Sequence, residues 1–293
     1  MTKPVRKGSP IRKGNPLKPN RIESIVLKGL ADVSELRRPE GRFYCSDVGS
    51  CQRRAVKLLV TERREPISPA SRAYMSIGIT VHEMVSDALF KSNRLLFKEY
   101  KLPSMEEPDL RGMVDNVIFG PDDKIMGLEV KTCGALPPRP KEDHEMQVLL
   151  YSALTGFDFA ILYISRKVAG WDGKLILRSF DIETDDGVLH SAMTRACIAH
   201  YAYMDGLLPE IPPTFTRDKN CRFCAFADEC WEETEEDLPT ADVAQMDGLY
   251  IRAELRAREI IDERFDRRTG IIKHIQRYAT PDVQRKLKSI SWD

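Results

Sequence analysis

Three polar residues stand close together near the middle of the 293-residue chain, and their types suit hydrolytic chemistry. They are Asp115, Glu129 and Lys131, and they fall in two apolar-rich runs, 111–119 and 124–131. A Gly-Pro-Asp-Asp turn signal separates the runs, so the sequence predicts a β-hairpin. Because side chains alternate along a strand, Glu129 and Lys131 must share one face. If Asp115 points to that face from the partner strand, two carboxylates and an ammonium converge.

Such a set suits a divalent metal ion and a phosphodiester. Asp115 and Glu129 offer the hard oxygen ligands that Mg²⁺ and Mn²⁺ prefer, and the carbonyl of Val130 can add a third. The metal would lower the pKa of a bound water and offset charge on phosphate oxygens. Lys131 would orient the nucleophile and stabilise the transition state. The alternative is an ordinary surface Glu-x-Lys pair on an edge strand, so the flanking sequence has to decide.

Composition and cysteine usage narrow the class of protein. The chain is 42% hydrophobic, enough for a large core, and its formal net charge of zero gives no global sign of a nucleic-acid partner. No run approaches the roughly 18 apolar residues of a membrane span, and the N-terminus lacks an apolar signal segment. We therefore expect a cytoplasmic protein with no membrane partner. Seven cysteines in uneven clusters favour metal binding over a secreted disulfide scaffold.

Charge and Pro/Gly content divide the chain into three segments. Residues 1–21 are rich in Pro, Gly, Lys and Arg, and predict a disordered basic arm that either tracks DNA phosphates or is only a solubilising tail. Residues 22–238 hold the main domain and end in an acidic run at 232–237, interpreted as a linker. Residues 239–293 predict a charged helical extension, to which the pattern assigns no role.

Helical and strand patterns flank the hairpin. A helix over 71–91 contains His82, and a helix over 141–154 places Gln147 and Tyr151 one turn apart on one face. The other predicted elements are helices at 22–38, 188–204, 241–268 and 270–278, and strands at 159–166 and 174–180. This order predicts an α/β (α+β) fold with a mixed sheet flanked by helices.

The segment before the long helix carries both a cysteine and positive charge. Ser46-Asp47 is predicted to cap a helix that includes Cys51 and continues to Val60. Three residues are expected to give that helix a basic side: Arg53, Arg54 and Lys57.

Several common enzyme motifs are absent. There is no GxGxxG after a strand and no GxxxxGK[ST], which excludes a dinucleotide-binding fold and an ATP-driven motor. His82-Glu83 begins like the HExxH zinc-protease signature, but Ser86 stands where the second histidine is required. His144-Glu145 fails the same test at Val148, so zinc proteolysis is excluded.

Three cysteines cluster late in the main domain. Cys221 and Cys224 form a CxxC pair, and Cys230 follows after five residues. Zinc sites usually come as two close pairs, whereas three clustered thiolates completed by a distant fourth suit a [4Fe–4S] cluster. Candidates for the fourth are Cys45, Cys51, Cys133 and Cys197. Cys51 opens a helix beside an arginine that can offset cluster charge, while a small buried thiol is the alternative for the others. Zinc remains the competing metal.

With these pieces in order, the sequence resembles the RecB-like PD-(D/E)xK nucleases, and within them the iron–sulfur branch. That branch includes the CRISPR-associated Cas-four nucleases, the AddB nuclease domain and stand-alone phage relatives. The matching motifs are GITVHE at 78–83, GMVDNV at 112–117, LEVKT at 128–132, QVLLY at 147–151, and Cys51 with the cysteine tail at 221–230. Each is weak alone, but five in the right order are a strong signal.

The resemblance implies roles for individual residues. Asp115 and Glu129 become metal ligands, His82 an additional ligand and Lys131 the catalytic lysine. Gln147 and Tyr151 become residues that position the DNA strand and its phosphates. The implied cluster ligands are Cys51, Cys221, Cys224 and Cys230.

The implied activity is Mg²⁺- or Mn²⁺-dependent exonucleolytic hydrolysis at DNA ends, most often single-stranded, with a structural [4Fe–4S] cluster. Partners would be DNA and recombination or replication proteins. The basic arm and the C-terminal extension depart from the Cas-four pattern, which favours a phage-type recombination or repair nuclease over a CRISPR adaptation nuclease. A DNA-end-binding module without turnover is the alternative from another class, and the intact Asp115, Glu129 and Lys131 set argues against it. The pattern does not assign polarity, strand preference or oligomeric state.

Overall fold

A computed structural model describes most of the chain from Arg42 onward. The described residues are 42–61, 69–103, 105–121, 123–169, 175–221, 224–231, 238–278, 281 and 284–285. The basic arm at 1–21, the helix predicted at 22–38 and the acidic run at 232–237 lie outside them.

A five-stranded sheet forms the centre of the fold, with strand order β2-β4-β5-β6-β7. β5 and β6 pair in parallel and the other neighbours are antiparallel, so the sheet is mixed. The strands are β2 (Leu95–Lys101), β4 (Met113–Phe119), β5 (Ile125–Cys133), β6 (Asp158–Ala169) and β7 (Leu175–Ile182). A separate parallel pair joins β1 (Phe43–Tyr44) to β3 (Leu110–Arg111). The predicted hairpin is β4 and β5, and the later strand pair is β6 and β7.

Helices cover both faces of the sheet. They are α1 (Cys45–Ser50), α2 (Gln52–Val60), α3 (Pro69–Lys91), α4 (Glu142–Thr155), α5 (Asp186–Met204), α6 (Arg217–Asn220), α7 (Ala227–Trp231), α8 (Val243–Asp262) and α9 (Arg264–Tyr278). α3 packs on one face through Val81 and Val85, which join Leu128 and Val130 in a small apolar cluster. α4 packs on the other face, at the centre of the main core. The predicted mixed sheet flanked by helices is confirmed.

α4 is the crossover that allows β5 and β6 to run parallel. Parallel neighbours need a connection that returns the chain to the same edge, and a helix does this while covering the sheet. The helix ends at Gly156 in the left-handed region, with φ of 69°. A Cβ there would lie 2.7 Å from the carbonyl oxygen of Arg264, so both the backbone angle and the approach of α9 require glycine.

The segment around Cys51 differs from the expected single helix. The structure has two helices, and Cys51 between them is extended, with φ of −163° and ψ of 121°. Its Sγ accepts the N–H of Arg54 at 3.5 Å and so caps α2. Asp47, expected to cap the helix, is buried instead and binds the Arg54 guanidinium at 3.1 Å. The first helix is held by packing, since a Cβ at Gly49 would lie 3.0 Å from a carbonyl of α4.

The basic side predicted for this helix is wrong for two of its three residues. Arg53 is 4% exposed and donates to the carbonyl of Pro209 and the hydroxyl of Thr240. Lys57 is 1% exposed and pairs with Glu229 at 3.0 Å. These two buried cations therefore join α2 to later segments of the chain and do not form an exposed basic side.

The C-terminal helices also break at a different residue from the one expected. α8 starts with a capping box in which Asp242 and Gln245 each accept the other's backbone N–H. It ends at Asp262, with Glu263 as its C-cap, and Gly270 lies inside α9. The apolar sides of both helices join the main core: Leu249, Ala253, Ala257, Ile260, Ile261, Ile271, Ile272 and Ile275. Core packing, which the helical period does not specify, decides where the break falls. No helix in the described part of the chain is both long and apolar enough to cross a membrane.

Gly127 offers a test of the register between β5 and β6. A Cβ at Gly127 in β5 would overlap the ring of Phe159, its register partner on β6. We expect Gly127→Ala to destabilise the fold by about 1–3 kcal/mol, because the buried ring has to move. Gly248→Ala is the matched control: nothing lies within 4 Å of its Cβ position in α8, and it should stabilise by about 0.5–1 kcal/mol. Chemical denaturation of both variants measures the difference, and equal stabilities would contradict the register.

Candidate active site

The strands β4 and β5 stop pairing where the site begins. Their recorded register runs from Phe119 opposite Ile125 to Asn116 opposite Leu128. At the next position Asp115 takes over: its Oδ2 accepts the backbone N–H of Val130 at 2.7 Å. The side chain of Asp115 therefore substitutes for backbone pairing, and its carboxylate lies beside the backbone that links Glu129 to Lys131.

His82 reaches this carboxylate from α3. Its Nδ1 lies 3.2 Å from Oδ1 of Asp115. One turn further along, the Ser86 hydroxyl donates to Oδ1 of the fully buried Asn116 at 2.7 Å. Because Asn116 follows Asp115 in β4, this buried bond holds α3 and β4 in the alignment that places His82 at the site.

Glu129, Lys131 and Gln147 form a closed set of hydrogen bonds. Lys131 Nζ donates to Glu129 Oε1 at 2.8 Å and to Gln147 Oε1 at 2.9 Å. Gln147 Nε2 donates to the same glutamate oxygen at 3.0 Å and to Tyr151 Oη at 2.6 Å. Tyr151 in turn donates to the carbonyl of Met113 at 3.2 Å. The predicted shared face of Glu129 and Lys131 is confirmed, and α4 supplies the clamp that holds them there.

Burial sets the protonation of this acid. Glu129 is 3% exposed, and its pKa is raised to about 7 because burial penalises the carboxylate more than nearby Lys131 favours it, with Asp115 adding repulsion. Burial alone would lower the pKa of His82, but its hydrogen bond to Asp115 and attraction from Asp115 and Glu129 outweigh that, so its pKa is raised. The site thus holds protons that a bound cation would displace.

The donor atoms at this site suit a divalent cation in type but not in number. Asp115 and Glu129 supply carboxylate oxygens, and Glu129 Oε2 is buried without a hydrogen-bond partner among the described residues. An unpartnered buried carboxylate oxygen is costly unless something binds it. Within the described residues, however, no three His, Cys, Asp or Glu side chains converge closely enough to hold an ion. The donor types fit Mg²⁺ or Mn²⁺, and the metal roles of His82, Asp115, Glu129 and Val130 stay predictions.

The four cysteines singled out in the sequence line one cavity of about 250 Å³. They are Cys51, Cys221, Cys224 and Cys230, and they share the cavity wall with Arg53, Arg54, Phe226 and Trp231. Cys51 arrives from the start of α2, while the other three come from the segment 221–231 that runs into α7. Burial is the main cause that raises the pKa of Cys51 and Cys224, and neighbouring thiols add to it. These thiols carry no disulfide.

The remaining cysteines lie away from this cavity wall. Cys45, Cys133 and Cys197 are buried in the main core. Burial raises the pKa of Cys197 to about 12 and that of Cys45 further still, so both stay neutral thiols that pack as small apolar groups. Of the four candidates for the fourth ligand of the predicted cluster, Cys51 is the one that lines the described cavity with the late cysteines.

α7 is attached to α2 by protein contacts of its own. The buried Lys57 binds Glu229 and lies 5.7 Å from the ring centre of Phe226, which is fully buried. This pair of contacts joins α2, which follows Cys51, to the segment that carries Cys224 and Cys230.

Comparison with known proteins adds structural neighbours at low similarity. No protein-family model matches the chain, and no curated protein sequence matches it. Among solved structures it is similar to SSO0001, with a TM-score of 0.47 and 17% identity over 73% of this chain and 98% of that one. It is also similar to LHK-Exo in complex with dAMP, with a TM-score of 0.40 and 14% identity over 62% of this chain and 93% of that one. For a second LHK-Exo structure, an alkaline exonuclease from Laribacter hongkongensis, the TM-score is 0.36 and the identity is 12%, again over 62% of this chain and 93% of that one. With TM-scores below 0.5, these likenesses assign no function to this chain.

The raised pKa of Glu129 makes cation binding depend on pH. Below about 7 this carboxyl is protonated and must lose its proton to bind a cation. We expect the affinity for Mn²⁺ to rise about tenfold between about pH 6 and pH 8, measured by calorimetry. Glu129→Gln removes the titrating group and should bind weakly at both values. An equal affinity of the unmodified protein at both pH values would contradict the assignment of Glu129 as a ligand.

Proposed function

We propose that this chain is a metal-dependent DNA exonuclease of the PD-(D/E)xK type, acting on DNA ends. The observation that carries the proposal is the meeting of Asp115, Glu129 and Lys131 at one point, with a buried carboxylate oxygen left unpartnered. The order of the sequence motifs around these residues supports it. Single-stranded ends and a role in phage-type recombination or repair are the finer parts of the proposal, and they rest on the resemblance alone.

The proposed reaction is hydrolysis of a phosphodiester. A divalent cation would supply Lewis-acid chemistry that lowers the pKa of water and offsets charge on the phosphate. Asp115 and Glu129 would hold it, and His82 would become a further ligand by moving toward them, because no three such side chains converge among the described residues. Lys131 stands with its ammonium at the edge of this set, 20% exposed, where it can orient water and stabilise charge that builds on the phosphate. Gln147 holds Lys131 through its carbonyl and Glu129 through its amide, so it fixes the distance between the two.

Tyr151 supports Gln147 from the buried side of the site, where its hydroxyl accepts a hydrogen bond from the Gln147 amide. It is 3% exposed, and burial raises the pKa of its hydroxyl well above the ordinary value, so it remains a neutral hydrogen-bonding group. Its bonds to Gln147 and Met113 link α4 to the start of β4. We assign Tyr151 to positioning Gln147 and not to direct contact with phosphate, because the described geometry leaves it behind the glutamine.

The proposal includes a structural [4Fe–4S] cluster bound by Cys51, Cys221, Cys224 and Cys230. Its support is that these four side chains line one cavity, whereas the other three cysteines are buried elsewhere. Arg53 and Arg54 in the same wall would offset the negative charge of a thiolate-bound cluster. Such a cluster would reinforce the junction of α2 and α7, which the Lys57–Glu229 pair already holds.

Replacement of Lys131 tests the nuclease. We expect Lys131→Ala to lower the cleavage rate of end-labelled DNA by about 10²–10³-fold in Mg²⁺ or Mn²⁺, because the transition state loses a charged donor. The matched control is Lys98→Ala, which removes an exposed lysine paired with Glu83 on the surface and should cut like the unmodified protein. Undiminished cleavage by Lys131→Ala, with its fold verified by circular dichroism, would remove the assignment. Binding of ends without cleavage by any variant would favour the binding-module alternative.

Cysteine replacement tests the cluster. Cys224→Ser and Cys51→Ser should each lower the iron and acid-labile sulfide content of anaerobically purified protein and reduce its thermal stability, because cluster binding adds to folding free energy. Cys133→Ala, a cysteine outside the cavity, is the control and should keep the iron. Protein that contains zinc and no sulfide would overturn the iron–sulfur assignment and favour the zinc alternative.

A further inference from the structure

His144 lies beside the candidate active site, in a His144-Glu145 pair that lacks the second histidine of a zinc motif. It stands on α4 one turn before Gln147, the residue that holds Lys131. Tyr163 on β6 is the register partner of Lys131 on β5. Partners on neighbouring parallel strands point to the same face, so Tyr163 and Lys131 lie side by side. The His144 ring stacks on Tyr163, with centres 5.6 Å apart and planes 28° apart.

The hydrogen bonds of Tyr163 decide where His144 carries its proton. Tyr163 is fully buried, and its Oη accepts the backbone N–H of Lys141 at 3.0 Å. Its second recorded partner is His144 Nδ1, at 2.9 Å. In the described part of the chain Nδ1 is the sole recorded acceptor for the phenol proton. A buried hydroxyl proton without an acceptor is costly. Tyr163 therefore donates to Nδ1, and the neutral imidazole carries its hydrogen on Nε2.

The local charges keep this ring neutral. Burial first, and then repulsion from Lys131 and Lys141, lower the pKa of His144 to about 4 against the opposing attraction of Asp143. The nearest recorded acceptor for Nε2–H is a carboxylate oxygen of Asp143, 3.7 Å away and beyond hydrogen-bond distance. The His144 side chain is 19% exposed. Nε2–H is thus a fixed, neutral and accessible donor next to the Lys131 ammonium.

We propose that His144 contacts the substrate: its Nε2–H donates to a non-bridging oxygen of the DNA phosphodiester held beside Lys131, and Tyr163 is the positioning residue that sets its tautomer. This inference deepens the nuclease proposal and rests on it for the identity of the ligand as DNA. A neutral donor binds phosphate without adding a second cation beside Lys131. Tyr163 occupies Nδ1, so the ring stays oriented as a donor.

Three variants distinguish a hydrogen-bond donor role of His144 from a role in which its ring only stacks on Tyr163. His144→Phe keeps the aromatic stack and loses the donor, whereas His144→Gln loses the ring and keeps an N–H near the position of Nε2. Tyr163→Phe keeps the packing and frees Nδ1. We expect His144→Phe to bind DNA roughly tenfold to a hundredfold more weakly in Ca²⁺, as for a lost hydrogen bond to a charged group. In Mn²⁺ the KM should rise by a similar factor, with a smaller change in kcat.

Recovery of DNA affinity in His144→Gln distinguishes the donor role from the stacking role. His144→Gln should recover most of the affinity that His144→Phe loses. If His144→Phe binds and cuts like the unmodified protein, or if His144→Gln is as weak as His144→Phe in a protein of unchanged stability, the donor role is overturned.

A spectroscopic measurement keeps the inference testable even if the chain proves not to cut DNA. Long-range ¹H–¹⁵N spectra of the histidine rings should show His144 as the Nε2–H tautomer, and Tyr163→Phe should move it toward a mixture. An Nδ1–H tautomer in the unmodified protein would overturn the inference whatever the activity.

Adding an oligothymidylate in Ca²⁺ should shift the Nε2 signal. No shift, together with binding detected by fluorescence anisotropy, would also overturn it, whereas a shift without cleavage would reject the nuclease and keep the contact.

Discussion

The hydrogen bond from the Val130 backbone to the Asp115 carboxylate is the contact on which the candidate site depends. It lies where the β4–β5 register ends, so a side chain takes over from the sheet at the point where the strands separate. That exchange places one carboxylate against the backbone between Glu129 and Lys131. It also leaves the other Asp115 oxygen for His82. A carboxylate that capped a turn or faced solvent would leave the hairpin intact but bring no second acid to the site.

Burial of Glu129 has an energetic consequence that runs against stability. Its folded pKa of about 7 lies above the ordinary value of 4.5, so the metal-free fold loses stability as the pH rises between these two values. The unpartnered Oε2 adds to that cost. Proteins keep strained or undersatisfied groups at positions where a ligand or reaction uses them. α4 limits the loss, because Gln147 satisfies the other oxygen and holds Lys131 against it.

The cysteine cavity and the candidate active site lie on different parts of one scaffold. α2 follows Cys51 and packs on α5. α1 packs on α4, the helix that carries Gln147 and His144. Lys57 and Glu229 pair with the lysine fully desolvated, a contact that is expensive to break because it would leave a buried charge alone. The junction at the cavity therefore supports the helix layer that carries Gln147 and His144.

Local sequence was sufficient for the hairpin, for most helix and strand positions and for the shared face of Glu129 and Lys131. Strand alternation, turn residues and helical spacing are short-range rules, so a few neighbouring residues determine the outcome. The mixed sheet also followed, because a helix between two strands allows them to run parallel. Spacing and resemblance also grouped Cys51 with the late cysteines; these side chains line one cavity, and the cluster itself stays a prediction.

Tertiary packing decided what depends on distant neighbours. Cys51 is an extended cap of α2, Asp47 pairs with Arg54, and Arg53 and Lys57 are buried against partners more than 150 positions away. The break between α8 and α9 lies between two groups of isoleucines, and both groups are buried in the main core. The donor tautomer of His144 depends on a tyrosine from another strand that the backbone of Lys141 has already engaged. Spacing along the chain cannot specify these contacts, because burial and hydrogen-bond saturation arise only once the sheet and its helices are assembled.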